Sequence, residues 1–171
     1  MSSGSKTINV AVEGFTDEIV VRRLLTHVGL ECRYVRGNQG KTTLKTQLRG
    51  KYNQAAQFAN WLVVLDLDHD ADCAPTYIRH LLPDRENLAA FLGIAVANIP
   101  LNPDTEDNPK ATLINLARRS RKTKLRDDIV PRQNSGHPIG PGYPGRILEF
   151  VEYSASRWRP DAAQENSDSL K

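Results

Sequence analysis

The chain is predicted to fold as an α/β protein, a parallel sheet with flanking helices followed by a mostly helical C-terminal portion. Three observations predict this. The first half alternates strand-like apolar runs with segments of helical periodicity. The run Trp61–Leu65 is continuously apolar, the pattern of a strand buried on both faces of a parallel sheet. The second half has helical segments separated by loops rich in Pro and Gly, with no comparable strand run.

Taken in order, Ile8–Val12 reads as a strand that delivers Glu13 and Gly14 into a helix over residues 17–28. That helix turns Ile19, Val20, Leu24, Leu25 and Val28 toward the core, with Thr16 as N-cap and Phe15 and Val20 as a hydrophobic staple. Cys32–Val35 is a short second strand, followed by the loop "RGNQGK". Leu44 to Phe58 is helical with a break at Gly50, and Trp61–Leu65 is the third strand, joined through right-handed crossovers. Residues 75–93 read as two helices divided at Pro83 and Asp84. A helix from Lys110 to about Lys122 follows the loop "IPLNPDTEDNP". The stretch "PRQNSGHPIGPGYPG" is irregular, Gly145–Arg157 is the last helix, and the chain beyond Pro160 is a loose polar tail. The organisation is an α/β core over 1–75, a helical portion packed on it over 76–160, and a tail over 161–171.

An apolar content of 39% and a charged content of 25% in 171 residues are those of a globular protein with a true core. No apolar run approaches the roughly 20 residues that cross a bilayer, and "MSSGSK" lacks the pattern of a signal peptide. Cys32 and Cys73 have no CxxC or ligand spacing and read as thiols of a reducing compartment, so a cytoplasmic protein without a membrane partner is expected. The net charge of +3 is modest, but its distribution is uneven. "ARRSRKTKLR" gathers Arg118, Arg119, Arg121, Lys122, Lys124 and Arg126, whereas "DLDHDAD" gathers acid. Together they suggest a phosphate-tracking surface beside a cation site; separately they read as a solvated helix face and an acidic loop.

Functional groups of α/β sheets gather beyond the carboxyl ends of the strands, where Glu13 and Asp66 both emerge. Asp68 lies two residues on, so in an extended chain it faces the same side as Asp66. Carboxylates converging there repel unless a cation sits between them, and hard oxygen ligands suit Mg²⁺ or Mn²⁺. Glu13 by itself would be an acid favoured by a helix dipole; beside Asp66 and Asp68 it is a ligand or a general acid or base. Asp17 divides evenly between a further ligand and a helix-stabilising acid, while Asp70, Asp72 and His69 read as loop residues. The loop "GNQGKTT" is not a Walker A motif, because Val35 stands where the first Gly is required. Gly37, Gly40 and Lys41 remain candidates to line the site edge and meet phosphate.

"VEGFTDE" after one strand and an apolar strand ending in "DLD" resemble the two motifs of Toprim domains, nearest to nucleases of the overcoming-lysogenization-defect type. The segments "GNQGKTTLKTQL", "DCAP", "DRENLAAFLGI" and "NPDTEDNPKATL" resemble small stand-alone Toprim-like bacterial proteins, encoded beside an ATPase and linked to phage defence. The resemblance implies a Rossmannoid sheet and Mg²⁺-dependent cleavage of DNA or RNA. Glu13, Asp66 and Asp68 would be catalytic, Asp17 an assisting metal ligand, and Lys110 the late lysine that serves the phosphate. An ATPase is the implied partner. The link between "DLD" and "DREN" is shorter than in those relatives, which favours the alternative of a binding or regulatory subunit without turnover. A phosphatase of the haloacid dehalogenase type is disfavoured, since Asp70 stands where that motif has Thr or Val and the first strand carries Glu13.

Overall fold

The computed structural model describes residues 6–65 and 80–168. The chain divides into two compact units, residues 1–74 and 75–171. Among the described residues no helix is long and apolar enough to cross a membrane.

The first unit is α/β. Strand β1 (Lys6–Val12) is followed by α1 (Phe15–His27), β2 (Leu30–Gly37), α2 (Lys41–Gln47), a π turn (Leu48–Tyr52), the short α3 (Asn53–Ala55) and β3 (Trp61–Val63). Both β2 and β3 pair with β1 in parallel, giving the order β2-β1-β3. The central position of β1 accounts for its burial: Val10, Ala11 and Val12 are wholly inaccessible. Helix α1 contributes Ile19, Val20, Val21 and Leu25 to the buried residues of this unit. Ala11, Leu44 and Tyr52 form a further cluster, with Trp61, Val63 and Leu65 packed against it.

Several expectations are corrected here. Residues 61–65 are only partly buried, because β3 has a strand neighbour on one side alone among the described residues. Helix α1 begins at Phe15 with Gly14 as its N-cap, displacing Thr16 from that role, since the Asp17 carboxylate accepts the Gly14 N–H at 2.8 Å. Phe15 is exposed and forms no staple. The expected break at Gly50 takes the form of the π turn, where the helix widens without ending.

The second unit is helical among its described residues: α4 (Arg85–Leu92), α5 (Pro109–Arg118), α6 (Thr123–Ile129), α7 (Tyr143–Leu148) and α8 (Pro160–Glu165), with a π turn over Glu149–Tyr153. Leu82, Leu92, Ile129, Phe150 and Trp158 are at most 1% exposed. Asn108 caps α5 by accepting the Ala111 N–H, and Pro109 takes the first helical position, where a missing N–H costs nothing. Helix α5 stops at Arg118, short of Lys122, because the buried Ser120 turns the chain: its hydroxyl donates to the Leu92 carbonyl at 2.5 Å and accepts the Lys122 N–H at 3.0 Å. The chain beyond Pro160 is not a loose tail through residue 168. It forms α8, buries Ala163 and bonds Ser167 to the Asp104 carboxylate. Ahead of α8, Arg159 pairs with Asp84, whose side chain is fully buried and also accepts the Arg159 backbone N–H at 2.7 Å.

Candidate functional site

Parallel pairing sends the carboxyl ends of β1 and β3 to one edge of the sheet. Asn9, Val10 and Ala11 stand opposite Trp61, Leu62 and Val63, and the Val64 N–H donates to the Ala11 carbonyl at 2.9 Å. Glu13 leaves β1 at this edge as a partly exposed residue of the turn into α1. The chain that continues β3 leaves at the same edge. Asp66 and Asp68, the expected partners of Glu13, lie outside the described residues, as do His69, Asp70, Asp72 and Cys73. Among the described residues no three His, Cys, Asp or Glu side chains form a metal-holding group. Of the four proposed ligands, Glu13 and Asp17 belong to that set, and both offer the hard oxygens that suit Mg²⁺.

Asp17 has a defined structural task. Its Oδ2 closes the capping box on Gly14 and its charge sits in the first turn of α1, so the helix-stabilising role is met. Next to it, Glu18 accepts from Arg22 Nε at 2.9 Å and from Asn38 Nδ2 at 3.0 Å, which ties α1 to the loop after β2. That loop is anchored directly on the strand end. The Asn38 N–H donates to the Val12 carbonyl and the Gly40 N–H to the Glu13 carbonyl, each at 3.1 Å. Gly37 makes this approach possible: its φ of +102° is in the region that favours glycine, and a Cβ there would overlap the Val12 carbonyl oxygen. Lys41 follows Gly40 as the first residue of α2, one residue from the bond to Glu13.

Two cations that the sequence reading did not single out, Arg36 and Lys51, line a groove beside this loop. Arg36 is at the end of β2, where the carboxyl-edge rule would have found it. Lys51 is in the π turn, for which the sequence carries no comparable signal.

The remaining candidates belong to the second unit. Lys110 is exposed in the first turn of α5. The basic cluster is spread over the end of α5, the turn at Ser120 and α6, and its members differ in what they touch. Lys122 donates to the Ala90 and Phe91 carbonyls at 2.9 and 2.8 Å, closing the C-terminus of α4 as a cation does best. Arg126 lies against Asp127 and the Ser120 carbonyl. Arg119 donates to Asn98 Oδ1 at 3.1 Å and, with Arg121, lines a groove of about 430 Å³ formed with Gly93, Ile94, Ala95 and Asn98. Arg118 and Lys124 are exposed. The cluster thus divides into side chains engaged in the fold and side chains turned to solvent.

No protein-family model matches the chain, and no curated protein or solved structure matches it either.

Proposed function

We propose that the protein is a Toprim-type nuclease that cleaves nucleic-acid phosphodiesters with the aid of Mg²⁺ or Mn²⁺, acting with an ATPase partner in defence against phage. The observation that carries this reading is the parallel pairing of β1 with β3. It directs the Glu13 turn and the chain leading to Asp66 and Asp68 toward one sheet edge, as a shared cation site requires. Glu13, Asp66 and Asp68 would hold the ion, with Asp17 assisting through whatever its cap leaves available. A bound divalent ion would supply a water of lowered pKa and neutralise charge on the phosphate oxygens. Glu13, at the mouth of the turn, is the residue to move a proton. Lys41 and Lys110, and from the basic cluster Arg118, Arg119, Arg121, Lys124 and Arg126, would serve phosphate oxygens, while Lys122 is held on the carbonyls that end α4. Such contacts hold a backbone without reading its sequence.

A second reading is favoured by the cap on Gly14, which commits an oxygen of Asp17 to the fold. On it, the protein is a binding or regulatory subunit that has kept the architecture and lost turnover. Incubation of the protein with plasmid, single-stranded DNA and tRNA, in Mg²⁺, Mn²⁺ or EDTA, separates the two. The nuclease reading expects metal-dependent cleavage that falls by at least about a hundredfold in Glu13→Gln and in Asp66→Ala, with unchanged circular dichroism. Cleavage that survives Asp66→Ala undiminished refutes the site. No cleavage with any substrate or metal, alone or with an ATPase, selects the regulatory subunit.

A further inference from the structure

The groove beside the Glu13 turn has a volume of about 420 Å³ and is open on one side. The end of β2, the loop over residues 37–40, α2 and the π turn form its walls. Its polar lining is Arg36, Asn38, Gln39, Thr43, Gln47 and Lys51, over Val35 and the buried Leu44. Among the described residues that line it, none is acidic. Within the lining, Lys51 reaches only the Gln47 amide oxygen, at 3.4 Å, and otherwise lies 5.6 Å from the Tyr52 ring. Arg36 is exposed and has no ion pair among the described residues. Burial raises the pKa of the Tyr52 phenol and Arg36 opposes that rise, so the guanidinium is close enough to be felt there.

Two like charges around one concavity repel each other, and an anion between them relieves that repulsion. The amides and the hydroxyl add neutral donors suited to phosphate and sugar oxygens. The size falls within the roughly 300–1,000 Å³ of ligand sites, while the polar lining departs from their usual apolar character. We propose that this groove seats the sugar–phosphate backbone of a single nucleic-acid strand, with Arg36 and Lys51 gripping phosphate beside the Glu13 turn. The identity of the anion rests on the nuclease reading above. The placement rests on the Asn38 and Gly40 bonds to Val12 and Glu13, which fasten one wall of the groove to the strand end that carries the carboxylate. The two cations grip phosphate, so their share of the binding carries no sequence preference.

Fluorescence anisotropy with labelled single-stranded DNA and RNA oligonucleotides, in EDTA and over a range of salt, tests this without any turnover. A lack of cleavage therefore leaves the result readable. The double variant Arg36→Ala/Lys51→Ala is expected to bind at least about tenfold more weakly. Its slope of log affinity against log salt should be shallower by roughly 1.4, at about 0.7 for each phosphate that is no longer neutralised. Arg33→Ala removes an exposed charge from the same strand outside the groove and should change neither quantity much. Circular dichroism confirms that all the proteins are folded. Unchanged affinity and slope in the double variant, or no binding by the parent protein, overturns the proposal. So does competition by a mononucleotide equal to that of the oligonucleotide, since the groove would then hold a nucleotide and not a strand.

Discussion

Gly37→Ala strikes the joint between the strand that carries Glu13 and the loop that covers its end. The cost has three parts. A φ of +102° is strained for any L side chain, about 1–2 kcal/mol. The added Cβ overlaps the Val12 carbonyl oxygen and lies 3.0 Å from its carbon and 3.2 Å from the Val12 nitrogen. Relief requires the loop to move away from β1, at about 1–2 kcal/mol for disturbed packing. The same carbonyl accepts the Asn38 N–H, so the movement also costs that hydrogen bond, about 1 kcal/mol. The sum is about 3–5 kcal/mol. Gly29→Ala is the matched control: φ is +74° and nothing lies within 4 Å of the added methyl, leaving the strain of about 1–2 kcal/mol alone. Urea unfolding followed by circular dichroism gives both values, and hydrogen exchange of the Lys6–Val12 amides assigns the loss to the first unit. A Gly37→Ala cost within about 0.5 kcal/mol of the Gly29→Ala cost would refute the account, because it would mean the loop does not bear on the strand as described.

Tyr143→Phe removes a buried hydroxyl that has no hydrogen-bond partner among the described residues, so stability at pH 8 should be unchanged or higher by up to about 1–2 kcal/mol. Burial holds the Tyr143 phenol well above its ordinary value of 10.0, so the fold favours the protonated form; the stability this confers is present below about pH 10 and lost as pH rises beyond it. Thermal melts should therefore show the advantage of the variant growing between pH 8 and pH 11, and a constant or shrinking gap would contradict the burial. Lys122→Ala and Arg121→Ala should divide the basic cluster by task. The first removes the cation from the end of α4 and should lower stability by about 1–2 kcal/mol with little effect on nucleic-acid binding. The second should leave the melting temperature in place and flatten the salt dependence of binding by about 0.7–0.9; the reverse pattern in paired melts and anisotropy titrations would overturn that division.

Much of the fold was legible because it follows from local periodicity. Val10–Val12 and Trp61–Val63 are apolar beyond what a loop tolerates, and the spacing of Ile19, Val20 and Leu25 in the intervening segment is helical. Parallel pairing follows from the helix between the strands, since a crossover of that length returns the chain in the same direction. The emergence of Glu13 at a carboxyl edge is legible on the same grounds. Other features were settled by contacts between residues far apart in the chain. The carbonyls at the end of α4 engage Lys122, which the sequence shows only as one of six neighbouring cations. Asp104 and Pro83 receive hydrogen bonds from Ser167 and Asn166, which order a stretch whose composition alone reads as loose. The Gly37 turn brings Arg36 and Lys51 to one groove from segments with no shared motif. Periodicity is written residue by residue into the chain, whereas a hydrogen bond across 63 or 83 positions exists only once the packing of the intervening elements has brought its partners together.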